Sequence, residues 1–293
     1  MWIALSLLSA LAAALSGLAL KRALDGAGVV ISTIAFRGIA GLLLAALTLL
    51  AAPPPTPSPL YWRTAALVMV PEIGGMVCYG LALRAGQLSQ VQPLLGLIPL
   101  FVTLGGALFL GEIPTPLASV GVLLVTGGVY SVGLRVGTSP FEPVRALVRS
   151  PAGWYALAAS AAWSVTTVLH KVGIAEVGPF AWGVTLTLGS ALVLVAALPA
   201  LARRPRGLQR PRRARAWAWL VLLAGLFFAV HQAGLHLSLR AAQAGYVSAL
   251  TAISSLLAAA LGILVLRERD AVWPRLAGAL LVSSGAALIA LGG

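Results

Sequence analysis

Ten long stretches of this chain are almost wholly apolar. They fall at about 2–20, 28–51, 62–84, 87–110, 115–135, 154–172, 179–201, 217–239, 243–266 and 273–291. A helix needs about 20 apolar residues to cross the hydrocarbon of a bilayer, and every one of these runs is close to that length or longer. Lipid offers no hydrogen bonds, so the segment must satisfy its own backbone groups. Transmembrane strands would be about 10 residues long and would alternate in polarity; these runs are too long and too uniform. The pattern predicts an all-α integral membrane protein with ten transmembrane helices. Little of the 293 residues is left for a soluble domain, and 9% are charged against about 25% in soluble proteins.

The first run, Met1 to Leu20, holds no positive residue, and Lys21 and Arg22 follow it. A secretory signal carries its positive charges ahead of the apolar stretch, so this run reads as a retained first span. The single cysteine, Cys78, cannot form an intrachain disulfide. Prolines at 53, 54, 55, 57 and 59 forbid a helix between the second and third spans and make a stiff connector there.

The chain is internally duplicated. Residues 83–112 lie on 239–268 without a gap: Leu83-Arg84-Ala85 meets Leu239-Arg240-Ala241, Gln87 meets Gln243, Val91 meets Val247 and Glu112 meets Glu268. Matched leucines mean little in such a composition, but matched Arg, Gln and Glu are rare enough to count. Beyond one inserted residue, Gly121 and Gly128 meet Gly278 and Gly285, while Lys21 and Gly28 meet Lys171 and Gly178. Five spans repeated once must insert with opposite orientation, which predicts two inverted five-helix repeats, 1–140 and 150–293.

The segment Leu83-Arg84-Ala85-Gly86-Gln87, closing at Leu110-Gly111-Glu112 and leading into a glycine-spaced helix, resembles the EamA-type domain of the drug/metabolite transporter superfamily. The second copy, from Leu239 to Arg269, resembles it too, so the likeness covers two tandem domains. The resemblance implies a secondary transporter that exports a small metabolite such as an amino acid, by facilitated diffusion or proton-coupled exchange. A membrane scaffold or sensor and a channel are the alternatives. In one departure between the copies, Pro93 and Pro99 become Ala249 and Ser255.

An ionisable side chain deep in the bilayer costs at least about 2.5–3.5 kcal/mol on insertion scales, so it asks for a partner or a cavity. Arg37, Glu72 and His231 lie deep in their spans. Measured from the proline connector at about 1.5 Å per residue, Arg37 and Glu72 sit roughly 21 and 15 Å deep, within reach of each other. An Arg37–Glu72 pair either fixes packing or serves transport, with Arg37 attracting a substrate carboxylate or Glu72 exchanging a proton. His231, with Gln232 and His236 nearby, is a packing residue or a pH-sensitive wall. The duplication places it one helical turn from the equivalent of Glu72. Tyr79, Gln92, Trp163 and Tyr246 complete the candidate substrate-binding set, and Pro93 and Pro99 are candidate gating hinges, each removing a backbone hydrogen bond. Glu112 and Glu268 read as helix caps or interfacial ion pairs.

The chain has two lysines, Lys21 and Lys171, neither in a glycine-rich phosphate loop, and no spacing of His, Cys or carboxylates suited to a metal. No cofactor, metal or enzymatic role is expected. The net charge of +13 owes most to seven arginines between Arg203 and Arg215, a connector expected to rest on anionic lipid head groups rather than nucleic acid. With the N-terminus outside, 16 of the 20 basic residues fall on the cytoplasmic side, so the positive-inside rule predicts both termini outside. The resemblance implies both inside. The expected setting is the cytoplasmic (inner) membrane of a bacterium, as a monomer or homodimer with a small-molecule substrate.

Overall fold

A computed structural model describes residues 1–51, 54–86, 91, 95, 97–131, 150–201, 211, 213–266 and 272–292. All regular structure among them is helical. The first half runs α1 (Trp2–Leu24), α2 (Val29–Leu50), α3 (Pro59–Ala85), α4 (Ile98–Gly105, continued by a π-helical turn, Gly106–Leu110) and α5 (Pro116–Ser131). The second runs α6 (Pro151–Val177), α7 (Pro179–Ala196), α8 (Ala214–Ala241), α9 (Ala244–Thr251), α10 (Ile253–Leu266) and α11 (Val272–Gly292).

Helix starts follow their local chemistry. Ser58 precedes Pro59, and its hydroxyl accepts from the backbone of Leu60 and Tyr61 at the head of α3. Ser150 precedes Pro151 and accepts from Gly153 N at the head of α6. A serine cap satisfies N–H groups that have no intrahelical partner, and proline in the first turn has no such group to lose. Pro99 belongs to the same class: it stands in the first turn of α4, rather than bending a helix that continues through it. Pro93 lies outside the described residues. The second copy, without either proline, also turns at Ala252, between α9 and α10. There the Thr251 hydroxyl takes the carbonyls of Val247 and Ser248, a competition with the helix ladder that needs no proline.

Among the described residues, five helices are long and apolar enough to cross a membrane: α1, α2, α3, α7 and α8. Shorter apolar helices occur at Ile98–Leu110, Pro116–Ser131, Ala244–Ala258 and Leu280–Gly292. The 27-residue α6 is not among the five, and its buried face carries Ser160, Ser164, Thr166, Thr167 and His170. Large apolar side chains such as Leu67, Phe109, Leu123, Leu192 and Trp219 stand on the outside of the bundle, as a lipid-facing surface requires.

The packing follows the duplication. The most extensive contacts join α5 to α11, α1 to α8, α3 to α6 and α2 to α7. Exchanging the halves leaves the α5–α11 and α2–α7 pairs unchanged and swaps the other two. Each pair is antiparallel. Ser9, Ser16 and Trp2 of α1 meet His231, Ala224 and Ser238 of α8. Along α5, Gly121 faces Gly285 and Gly128 faces Gly278, so the four glycines of the duplication meet crosswise, each against the other's counterpart, as antiparallel helices require. They let the two backbones approach closely, which is how helices associate without a hydrophobic gradient between them.

A Cβ added to Gly285 would lie 2.6 Å from the Gly121 carbonyl oxygen, whereas nothing lies within 4 Å of one added to Gly127. Gly285→Leu is therefore expected to destabilise the protein by about 1–3 kcal/mol, read as a lower thermal unfolding midpoint in detergent. Gly127→Leu, on the same pair of helices, should leave the midpoint unchanged.

Candidate functional site

Arg37 is completely buried at the middle of α2. Its Nη2 donates to Glu72 Oε1 at 2.7 Å and to the Leu186 carbonyl at 2.9 Å, and its Nε donates to Ser190 Oγ at 2.6 Å. The Phe228 ring stands 5.3 Å from the guanidinium carbon, at cation–π range. One guanidinium thus ties α2 to α3 and α7 and touches α8. Glu72 and Phe228 are equivalent residues of the two halves, so Arg37 sits where the halves meet. At the equivalent of Arg37 itself stands Thr187, whose hydroxyl is satisfied by the Gly183 carbonyl; the ion pair belongs to one half alone.

Beside the pair lies a cavity of about 170 Å³. Most of its wall comes from equivalent positions of both halves. On α1 and α6 they are Ala13, Ser16, Gly17 and Leu20 against Trp163, Thr166, Thr167 and His170, all in the register that lays Lys21 on Lys171. On α3 and α8 they are Glu72, Met76 and Tyr79 against Phe228, Gln232 and Leu235, all in the register that lays Leu83 on Leu239. Leu95 and Ile98 answer Thr251 and Ser254 in that second register. Identical register with different side chains means the fold supplies the cavity and each half furnishes its own wall.

Of the residues expected at a site, Glu72, Tyr79, Trp163, His231 and Gln232 line this cavity. Tyr79 and Trp163 form an aromatic corner with ring centroids 5.3 Å apart. Arg37 lies behind Glu72, off the wall. Tyr246 is elsewhere: its hydroxyl accepts from Thr115 N at 3.1 Å and its ring stacks on Trp2. Gln92 lies outside the described residues. Sequence reasoning passed over His170, Phe36, Phe228 and Ser255, all on the wall. His170 could have been found, since the register that aligns Lys21 with Lys171 carries the wall residue Leu20 onto it.

The end of the bundle carrying both termini is crossed by bonds between the halves. Glu112 follows Gly111, whose φ of +67 is left-handed and favours glycine, so the chain turns sharply there. The Glu112 carboxylate pairs with Lys171 through Oε1, and Oε2 accepts from Ala244 N at 2.7 Å, capping α9. Lys171 also donates to the Ala242 carbonyl at 2.8 Å. Lys21, its counterpart, donates to the equivalent carbonyl of Gly86 at 3.1 Å. Glu268, the counterpart of Glu112, lies outside the described residues.

Removing one partner of a buried ion pair strands the other charge and costs about 3–5 kcal/mol. Arg37→Met is therefore expected to lower thermal stability in detergent sharply, and adding Glu72→Gln to that variant should recover part of the loss. A double variant less stable than Arg37→Met would contradict the pairing.

The model of the EamA-like transporter family matches residues 1–134 and again 151–291. No curated protein matches the chain. A solved crystal structure shares the fold with a TM-score of 0.72 at 20% sequence identity, over 99% of this chain and 96% of the other. Two family matches that together span most of the sequence, on an all-helical bundle with an apolar exterior, establish that the chain belongs to the EamA-like transporter family of multi-pass membrane proteins.

Proposed function

We propose that this protein is a secondary transporter that binds a small metabolite in the central cavity and exports it by alternating access. Its two halves, 1–140 and 150–293, act as inverted five-helix repeats with ten spans in all. The observation that carries the reading is the cavity wall, built from matched positions of antiparallel counterpart helices. A site on a two-fold axis can be handed from one face to the other when the halves rock, as in inverted-repeat transporters. At about 170 Å³ the cavity falls below the roughly 300–1,000 Å³ of drug-sized sites, which favours a small solute. An amino acid or related metabolite fits that size and the family.

In this reading Glu72, Tyr79, Trp163, His231 and Gln232 contact the solute, and Arg37 holds Glu72 in place. Glu72 is the coupling residue if flux is linked to protons. The turns at Leu97, ahead of Pro99, and at Ala252 are where α4 and its counterpart flex. The basic connector ending in Arg213 and Arg215 rests on anionic head groups of a bacterial inner membrane, and the charge count sets both termini outside.

Metabolite profiling of cells overproducing the protein should show at least one extracellular solute that rises. In reconstituted vesicles its flux should saturate with concentration, and Glu72→Gln protein that is recovered folded should have lost any proton-dependent part. Flux that never saturates would mean a channel, and no flux of any solute would mean a scaffold.

A further inference from the structure

The hydrogen-bonding groups left free on the cavity wall are of unequal kind. Beside Glu72 they are acceptors. Glu72 uses Oε1 for Arg37, and its Oε2 meets no donor among the described residues. His231 Nδ1 lies 2.8 Å from Ser9 Oγ and 3.2 Å from the Ser9 carbonyl oxygen. A carbonyl only accepts, so Nδ1 carries a hydrogen; in the neutral ring that tautomer leaves Nε2 as a lone pair. His231 and Glu72 are joined through Phe228, whose ring lies 5.7 Å from the imidazole and against the Arg37 guanidinium.

Elsewhere on the wall a group can donate. The Trp182 indole N–H points at His170 Nδ1, 3.3 Å away; an indole nitrogen only donates, so the hydrogen of His170 is on Nε2. Gln232 is buried on the wall with no hydrogen-bond partner among the described residues. Its amide supplies both kinds of group.

No cation among the described lining residues faces the space. The nearest is Arg37, fully buried, and its one spare nitrogen, Nη1, is sealed from the cavity and without a partner. A carboxylate or phosphate placed beside Glu72 would meet a carboxylate oxygen and an imidazole lone pair, with no positive group in reach. An amine there would donate to both, with the faces of Trp163 and Tyr79 alongside for its apolar part and for cation–π contact.

We propose that the Glu72 end of the cavity seats the nitrogen of a small organic amine, with Glu72 Oε2 and His231 Nε2 as its acceptors and the Trp163–Tyr79 corner holding its apolar body. The proposal deepens the transport reading and rests on the cavity being the solute's binding site. Because Arg37 already neutralises Glu72, selection comes from hydrogen-bond direction more than from net charge.

Benzylamine, benzyl alcohol and benzoate share a body and differ in head group. Added to the detergent-solubilised full-length protein at pH 7, benzylamine should raise the thermal unfolding midpoint at concentrations about tenfold lower than benzoate requires, the difference expected for one charge-assisted hydrogen bond. Benzyl alcohol should fall between them. Glu72→Gln should remove most of the preference for the amine while leaving the response to benzyl alcohol, and His231→Phe should weaken it in part. If Glu72→Gln fails to fold, the ranking of the three compounds on the native chain still decides. Equal effects, or a lead for benzoate, would overturn the amine assignment and leave a binding cavity standing. Failure of all three to bind would overturn the assignment too, and the absence of saturable flux of any solute in vesicles would remove the transport reading itself.

Discussion

A guanidinium in the middle of a membrane protein has to be answered on every side, and the way Arg37 is answered organises the rest of the molecule. It takes a carboxylate from α3, a carbonyl and a hydroxyl from α7 and an aromatic face from α8. Three helices from both halves of the chain are thereby fixed around α2. The same arrangement leaves one carboxylate oxygen of Glu72 to face the cavity. Arg37 itself stays off the cavity wall, and Glu72 stands there in front of it. The ion pair therefore acts on packing and on site chemistry at once.

Around this centre the molecule is symmetric in register and asymmetric in substance. Equivalent positions line the cavity, yet they differ: Glu72 against Phe228, Met76 against Gln232, Leu20 against His170. The packing differs too. Helix α2 packs broadly on α8, while the equivalent contact of α7 with α3 is much smaller, and Arg37 bridges that looser seam. At the end bearing both termini, Glu112, Lys171, Gln243 and Thr115 tie the halves together. Equivalent contacts of the two halves are therefore unequal in this structure.

Much of this was legible in the sequence because lipid makes polar residues informative. Arg37 and Glu72 stand out as charges in apolar runs, and the regular rise of a helix is enough to bring them within reach of each other. The register between Leu83-Arg84-Ala85 and Leu239-Arg240-Ala241 carries over directly into which residues of α3 and α8 line the cavity. What escaped was chemistry without charge. Phe36, Phe228 and Ser255 are ordinary in composition and acquire a role only from the helix face they occupy. Tyr246 showed the opposite error: a polar residue near a helix start was read as wall and belongs to a packed seam beside Trp2. A turn in the second copy, at Ala252, has no proline to mark it in the sequence.

If one cavity, bounded by matched residues of two antiparallel halves, opens to each side of the membrane in turn, its wall must be reachable from both. Ser255 lies on that wall, and Ser255→Cys in a Cys78→Ser background places the chain's single thiol there. A membrane-impermeant thiol reagent applied to sealed vesicles of each orientation measures access from each face. Alternating access predicts labelling from both faces, with the two rates moving in opposite directions when a saturating solute is added. Labelling from one face only, unaltered by any solute, would contradict it.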